Sequence, residues 1–252
     1  MSRLGTADMG LATMNDMRDN AAMLASISPI TPLIADADTG YGNAIMVGRT
    51  VASYIRAGVA GLHLEDQVVS KRCGHLKGKQ LVDVEEFVSR IRAAVMARHQ
   101  SGSDIVIIAR TDALAGEGYD EAISRLKAAV SAGADAVFLE GVQTREQAQR
   151  LTQELGPTPC LFNYVAGGMS PEFSAQEIRE LGYRIAIYPL LALEAVYPVL
   201  KKVYRELLEK GKVENAEDGK RWGPRTLFGV CGLNELMEFD RQAGGRGYAD
   251  GA

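Results

Sequence analysis

One recurring pattern narrows the choice of fold more than anything else in the chain. Ala57-Gly58-Val59-Ala60-Gly61-Leu62-His63-Leu64-Glu65 is echoed by Ala132-Gly133-Ala134-Asp135-Ala136-Val137-Phe138-Leu139-Glu140. A fainter copy is Leu181-Gly182-Tyr183-Arg184-Ile185-Ala186-Ile187-Tyr188-Pro189. In each, a glycine is placed to end a helix in the left-handed conformation. A short apolar run follows, and a polar or special residue closes it. Strands are expected at 32–37, 61–65, 104–110, 135–140, 159–164 and 184–188. Amphipathic helices are expected near 44–57, 84–99, 119–132, 144–155 and 174–181, with a long loop over 66–83. Strands alternating with helices mean βαβ units and a parallel sheet. A repeat of this length fits an α/β fold of the (β/α)8 TIM-barrel type. Six strands are visible in the sequence, two fewer than closure requires.

The ends of the chain are not strand-like. Leu4–Gly10 reads as loop, and Leu11, Met14, Met17, Ala21 and Leu24 share a helical face that Thr13 or Asn15 could cap. Residues 192–252 form a helical extension to a single barrel domain spanning 1–252, and the glycine-rich 241–252 should fray.

Composition excludes several function classes. A net charge of -4 argues against nucleic acid or an anionic membrane as the main partner. No apolar run approaches the ~20 residues that span a bilayer. No basic segment with an apolar core marks a secretory signal. Three cysteines do not make a disulfide framework, so a reducing compartment is expected. The cytoplasm is the expectation, or the mitochondrion if a further N-terminal segment exists. Cys160 and Cys231 are expected in the core.

In a (β/α) barrel the active site lies at the C-terminal ends of the strands. Those ends carry Asp36 and Asp38, Glu65 and Asp66, Arg110 and Asp112, Glu140, and Asn163. Each alone is more often a cap or a solvated loop residue. Together they make a site. If Asp36 and Asp38 both lie in a strand, period-two alternation puts them on one side. Like charges that close call for a cation. Mg²⁺ takes oxygen ligands and often uses only one or two carboxylates. His63 alternates with leucines and could face the site or pack in the strand.

The loop after Glu65-Asp66 carries Lys71-Arg72-Cys73-Gly74-His75. Positive neighbours lower a thiol pKa, which would suit proton transfer or nucleophilic attack near neutral pH. A zinc site is disfavoured because no further Cys or His lies at suitable spacing.

Lys71-Arg72-Cys73-Gly74-His75 and Asp36-Ala37-Asp38-Thr39-Gly40-Tyr41-Gly42 resemble the signature motifs of the isocitrate lyase/phosphoenolpyruvate mutase superfamily. The resemblance extends to Leu62–Gln67, Ala109–Ala113, Leu139-Glu140, Asn163 and Tyr188-Pro189. The cysteine resembles the carbon–carbon lyase branch. The resemblance implies an eight-stranded barrel, a final helix swapped between subunits, and a homo-oligomer, dimer or tetramer. It implies Mg²⁺, or Mn²⁺, at Asp38 or Asp36, with Asp8 and Glu65 holding metal-bound water. Arg110, Glu140 and Asn163 would meet a small carboxylic-acid substrate. Cys73 would be the general acid, with Lys71, Gly74, His75 and Pro189 also at the site. The resemblance implies cleavage of a 2-alkylmalate or methylisocitrate-like 2-hydroxy acid into a 2-oxo acid and a carboxylate. The alternatives are an oxaloacetate hydrolase and a truncated, non-catalytic paralogue. Two departures stand out. The family's opening strand, helix and strand, with a Ser/Gly loop, precede the segment that here begins at Ser2. Ala166 and Met169 stand where many relatives carry Glu and Lys, so substrate choice is open at that loop.

Overall fold

The computed structural model describes residues 3–213 and 222–247. Six parallel strands are paired in chain order: β1 (Ile34–Asp36), β2 (Gly61–Glu65), β3 (Val106–Thr111), β4 (Ala136–Leu139), β5 (Cys160–Asn163) and β6 (Ile185–Ile187). Helices α2 (Ala44–Arg56), α3 (Val84–Gln100), α4 (Tyr119–Ser131), α5 (Arg145–Leu155) and α6 (Ala175–Glu180) follow β1 to β5 in turn. The α/β class and the parallel sheet stand as expected, and six strands are present among the described residues.

Local chemistry sets the helix starts. Thr13 and Asp16 form a reciprocal capping box on α1 (Met14–Ile27), and Ser174 and Glu177 do the same on α6. Asn43, Asp83 and Thr144 cap α2, α3 and α5 through their side-chain oxygens. Leu11 lies outside α1 and is exposed, because the cap at Thr13 ends the helix before reaching it.

Period-two alternation sorts the strand residues into two layers. Outward-facing Ile107, Ala109, Val137 and Leu139 join the large cores beneath the helices. Inward-facing Ile108, Ala136, Phe138 and Leu161 form a separate small core with Ile185 and Ile187. Two residues further along the same inner face stand Arg110, Glu140 and Asn163. The inner surface is therefore an apolar floor with polar groups above it.

The chain divides into two compact units, Met1–Glu194 and Ala195–Ala252. Helix α7 (Leu191–Lys210) runs across that division, and α8 (Pro224–Val230) and α9 (Leu233–Gln242) lie in the second unit. In the second unit, Val196, Tyr204, Leu208, Val230, Leu236 and Phe239 are all exposed. Cys231 is exposed too, at the C-cap of α8, which corrects its expected core placement. The reason is that the apolar side chains of α8 and α9 are themselves exposed and bury nothing around it. Cys160 is buried as expected. Of the segment expected to fray, 248–252 lies outside the described residues. Among the described residues no helix is long and apolar enough to cross a membrane.

Candidate active site

Strand β1 stops at Asp36, so Asp36 and Asp38 do not share a strand face. Asp38 instead takes a left-handed backbone with φ of 45°, and its N–H donates to Asp36 Oδ1 at 2.7 Å. An Asp that bonds locally tolerates this conformation. The turn brings both carboxylates to the strand end by another route. It is packed firmly on α2. A Cβ on Gly40 would stand 2.4 Å from Val47 Cγ2, and Gly40 itself has φ of 79°. The Tyr54 hydroxyl donates to Asp36 O at 2.8 Å.

The loop between β2 and α3 is closed at its neck. Val68 N–H donates to Gln80 O and Val82 N–H to Asp66 O, both at 2.9 Å. Lys71 is buried, with Nζ 2.6 Å from both Asp8 Oδ1 and Asp38 Oδ1. Cys73 N–H donates to Asp8 O at 3.2 Å. Asp8, 63 positions away from Lys71, thus joins the site through the loop. Gly74 lies against the floor's polar rim. A Cβ there would meet Glu140 Cγ at 2.5 Å and Arg110 Nη2 at 2.7 Å, so only glycine fits.

Inner-face residues complete the cluster. Arg110 Nε donates to Asp112 Oδ2 at 2.9 Å, Nη1 lies 3.3 Å from Glu65 Oε2, and the guanidinium sits 5.1 Å over the Phe138 ring. Asn163 Nδ2 donates to Glu140 Oε2 at 3.1 Å. His75 Nε2 lies 3.3 Å from Glu140 Oε1, while its Nδ1 accepts from Met169 N–H at 3.4 Å. That acceptor role places the proton on Nε2, facing Glu140. His63 is buried with Nδ1 3.5 Å from Asp36 Oδ1, so it faces the site. Pro189 is exposed in the turn after β6, one strand beyond Asn163. Sequence reasoning missed Lys79, whose Nζ donates to Gly74 O at 2.7 Å and to Asp112 Oδ1 at 2.8 Å. Its only signal was a basic residue in a basic loop.

Electrostatics divide these groups. Burial lifts the Glu65 pKa well above the usual carboxylate range, and neither of its buried oxygens has a hydrogen-bond partner. Burial and the charge of Asp36 raise Asp38 to about 6. Burial works the same way on Asp36, but His63, Lys71 and Arg110 outweigh it and hold Asp36 low. The Cys73 thiol is raised, not lowered: burial dominates, and Asp8 and Glu140 add to it. This corrects the expectation of a depressed pKa. Lys71 is occupied by Asp8 and Asp38, and Arg72 donates to Lys77 O. The thiol is therefore held protonated through neutral pH.

Six acids, Asp8, Asp36, Asp38, Glu65, Glu140 and Asp112, are set against the three cations Lys71, Lys79 and Arg110. Unpartnered carboxylate oxygens in such a surplus fit a hard divalent cation. Among the described residues no three His, Cys, Asp or Glu groups converge to hold one. Asp36, Asp38 and Glu65 are the carboxylates present that could hold one, and hard divalent cations take oxygen ligands of this kind.

The phosphoenolpyruvate phosphomutase family matches residues 2–208. The chain is 42% identical over 216 residues to 2-methylisocitrate lyase of Salmonella typhimurium, covering 85% of this chain and 72% of that one. A crystal structure of 2,3-dimethylmalate lyase, described as a PEP mutase/isocitrate lyase superfamily member, superposes with a TM-score of 0.93. Its identity is 51%, with 99% of this chain and 82% of that one covered. Oxaloacetate acetylhydrolase in complex with 3,3-difluorooxalacetate superposes at 0.92 with 48% identity, covering 98% and 82%. The chain belongs to the phosphoenolpyruvate phosphomutase family of the isocitrate lyase superfamily, and within it is a carbon–carbon lyase.

Proposed function

We propose that this lyase is Mg²⁺-dependent and cleaves a 2-hydroxy di- or tricarboxylate of the 2-alkylmalate or methylisocitrate kind into a 2-oxo acid and a carboxylate. The observation that carries this reading is the seating of Cys73 beside the Arg110–Glu140–Asn163 rim, through a Gly74 packed against Glu140 and Arg110, where burial pushes the thiol pKa up. A carbon–carbon cleavage of this type leaves an electron pair on the departing fragment, and that carbon must receive a proton.

Asp36 and Asp38 would hold the cation, with Asp8 and Glu65 on its waters. When bound, the cation polarises the substrate's carboxylate and hydroxyl and makes the hydroxyl more acidic. Arg110 and Asn163 orient the substrate's carboxylates. The hydroxyl proton leaves to the acidic cluster. The electron pair of the carbon–carbon bond then passes to the departing carboxylic acid as an enediolate. Cys73 S–H delivers a proton to that carbon, and the thiolate is reprotonated before the next turnover. Lys71 keeps Asp8 and Asp38 in register, and Asn163 Nδ2 fixes Glu140. Pro189 supports the lyase reading, since hydrolases of the family tend to carry serine there. A homo-oligomer fits the apolar residues that the C-terminal helices expose.

The test is a side-by-side assay of 2,3-dimethylmalate, 2-methylisocitrate and oxaloacetate, with 2-oxo acid and oxalate as separate readouts. Release of a 2-oxo acid, abolished by EDTA and restored by Mg²⁺ or Mn²⁺, is the expected result. Oxalate as the sole product would replace the reading with the hydrolase that the 48% identical neighbour represents. Full turnover in chelator would remove the metal.

A further inference from the structure

The tip of the Cys73 loop is tied to its own neck by one side chain. Gln67 opens the loop and is fully buried. Its Nε2 donates to Arg72 O at 2.9 Å, and its Oε1 accepts from Arg72 N–H at 3.1 Å. A buried primary amide needs partners at both ends. Here both ends find them on one residue, as paired strand residues do when they exchange main-chain bonds. Arg72 stands directly before Cys73, and its own side chain turns away to Lys77 O at 3.1 Å. Arg72 thus acts on the site through its main chain and not through its charge.

The peptide unit joining Arg72 to Cys73 is therefore gripped at both of its polar atoms. Arg72 O is held by Gln67, and Cys73 N–H donates to Asp8 O at 3.2 Å. Gln67 in turn is anchored from behind. Its main-chain oxygen accepts from Arg90 Nη1 at 2.8 Å, and the same nitrogen lies 3.3 Å from Glu65 O. Arg90 Nη2 donates to Glu86 Oε1 at 2.7 Å, one turn earlier on α3. Arg90 is 1% exposed, so a whole guanidinium is buried to hold these carbonyls. Contacts run unbroken from α3 through Arg90 and Gln67 to the peptide ahead of the thiol.

The ties on this loop differ in what a ligand would do to them. Lys71 shares Asp8 and Asp38 with the proposed cation, and Gly74 packs on the Glu140 and Arg110 that would meet substrate. Among the described residues the Gln67 side chain bonds to Arg72 alone, so ligand binding has no cause to disturb it. We propose that Gln67 is a positioning residue for the proton donor, fixing the Arg72–Cys73 peptide so that the thiol stands at the Glu140 rim before cation and substrate arrive. The inference rests on the lyase reading above, in which Cys73 is the acid. A displacement of about 1 Å in such a group costs on the order of 100-fold in rate.

The test is Gln67→Met, which keeps the length of the side chain and removes both hydrogen bonds. With Mg²⁺ present, kcat for 2-oxo acid release should fall about 100-fold. KM should stay within about threefold, because the groups that bind substrate lie elsewhere. Leu151→Ala, a cavity variant in the core beneath α5, sets the effect of lowered stability alone and should leave kcat unchanged. A second readout needs no turnover. Iodoacetamide labelling is followed by mass at Cys73 and at exposed Cys231, the internal reference. The Cys73-to-Cys231 ratio should rise about tenfold in Gln67→Met as the released thiol leaves its burial, and should keep its wild-type value in Leu151→Ala. Gln67→Asn, one methylene too short to reach Arg72, should move both readouts the same way and covers a Gln67→Met that does not fold. A kcat loss no larger than that of Leu151→Ala, a rise in KM in place of the fall in kcat, or an unchanged labelling ratio overturns the inference and leaves the lyase reading intact. If folded wild-type protein releases no 2-oxo acid from 2,3-dimethylmalate or 2-methylisocitrate, the lyase reading fails. The labelling ratio then decides separately: a rise upholds Gln67 as the residue that places Cys73, and an unchanged ratio overturns it.

Discussion

Glu65 and Asp66 are consecutive residues, both fully buried, each beside an arginine, and they live in opposite circumstances. Asp66 faces outward. It accepts from Thr111 Oγ1 at 2.6 Å and Asp112 N–H at 2.9 Å, with Arg125 Nη1 at 3.3 Å. Arg125 in turn donates to Glu121 and to Val82 O. Glu65 faces inward and has Arg110 at 3.3 Å without an aligned hydrogen bond. Burial raises both carboxyls, and only at Asp66 do hydrogen bonds work against it. A saturated charge network holds structure together. A buried carboxylate left with open lone pairs is the group that the proposed mechanism sets on the cation's waters. Consecutive positions thus separate a saturated, architectural charge from one that the proposed mechanism puts to work.

That contrast makes its largest prediction at Cys73, on the working side. Cys73→Ser should lower kcat by roughly 10²–10⁴-fold, the contribution of general acid–base catalysis, with an unchanged melting temperature. Because the acid must be protonated, activity should fall as pH rises through the raised thiol pKa, so the alkaline limb belongs above the ordinary value of 9.0. Iodoacetamide should alkylate Cys73 faster over the same interval. An alkaline limb near neutral pH would return the thiol to the depressed state that its basic neighbours imply.

Next in size is the architectural side. Asp66→Ala removes three acceptor contacts at once and strands the Arg125 charge. Urea denaturation should show about 3–5 kcal/mol of lost stability, as for other broken buried pairs. A loss under about 1 kcal/mol, the range of exposed pairs, would erase the distinction.

The smallest effect has the opposite sign. Glu65→Gln should abolish turnover yet raise metal-free stability at neutral pH by roughly 0.5–2 kcal/mol, the usual exchange of stability against function. A carboxyl whose folded pKa lies above its unfolded value of 4.5 binds more protons folded than unfolded. Stability therefore declines as pH rises from the unfolded value through the folded one, and the neutral amide should flatten that slope. A destabilised Glu65→Gln with wild-type pH dependence would show that Glu65 is architectural after all.

The strands were legible because their signal is local. Short apolar runs with polar closures, three of them opened by a glycine, placed all six within two residues of their observed ends. The gathering of Arg110, Glu140 and Asn163 on one face was legible for the same reason, as inward-facing strand ends follow from period two. What escaped the sequence depends on partners far away in it. Lys71 looks like a cation free to activate Cys73, until Asp8 reaches it from 63 positions away. Lys79 meets Asp112 across 33 positions. The left-handed turn at Asp38 also escaped, because Asp-Ala-Asp reads equally well as extended chain. Cys231 was misplaced because an amphipathic pattern says that a face wants covering, without saying that this chain covers it.

The closed neck beneath Cys73 has a mechanical consequence. Main-chain bonds at Val68–Gln80 and Asp66–Val82, with the bridge between Gln67 and Leu81, fasten the loop to itself where it leaves the sheet. Cys73 is thus carried on a loop fastened twice, at its neck to itself and at its tip, through Lys71, Gly74 and Lys79, to Asp38, Glu140 and Asp112. The neck bonds lie apart from the strand pairing, so the sheet's register does not depend on them. An exchange at an exposed position such as Leu76 can reshape the tip while the residues that seat it on the strand ends stay as they are, which is how one scaffold could accommodate changing substrates.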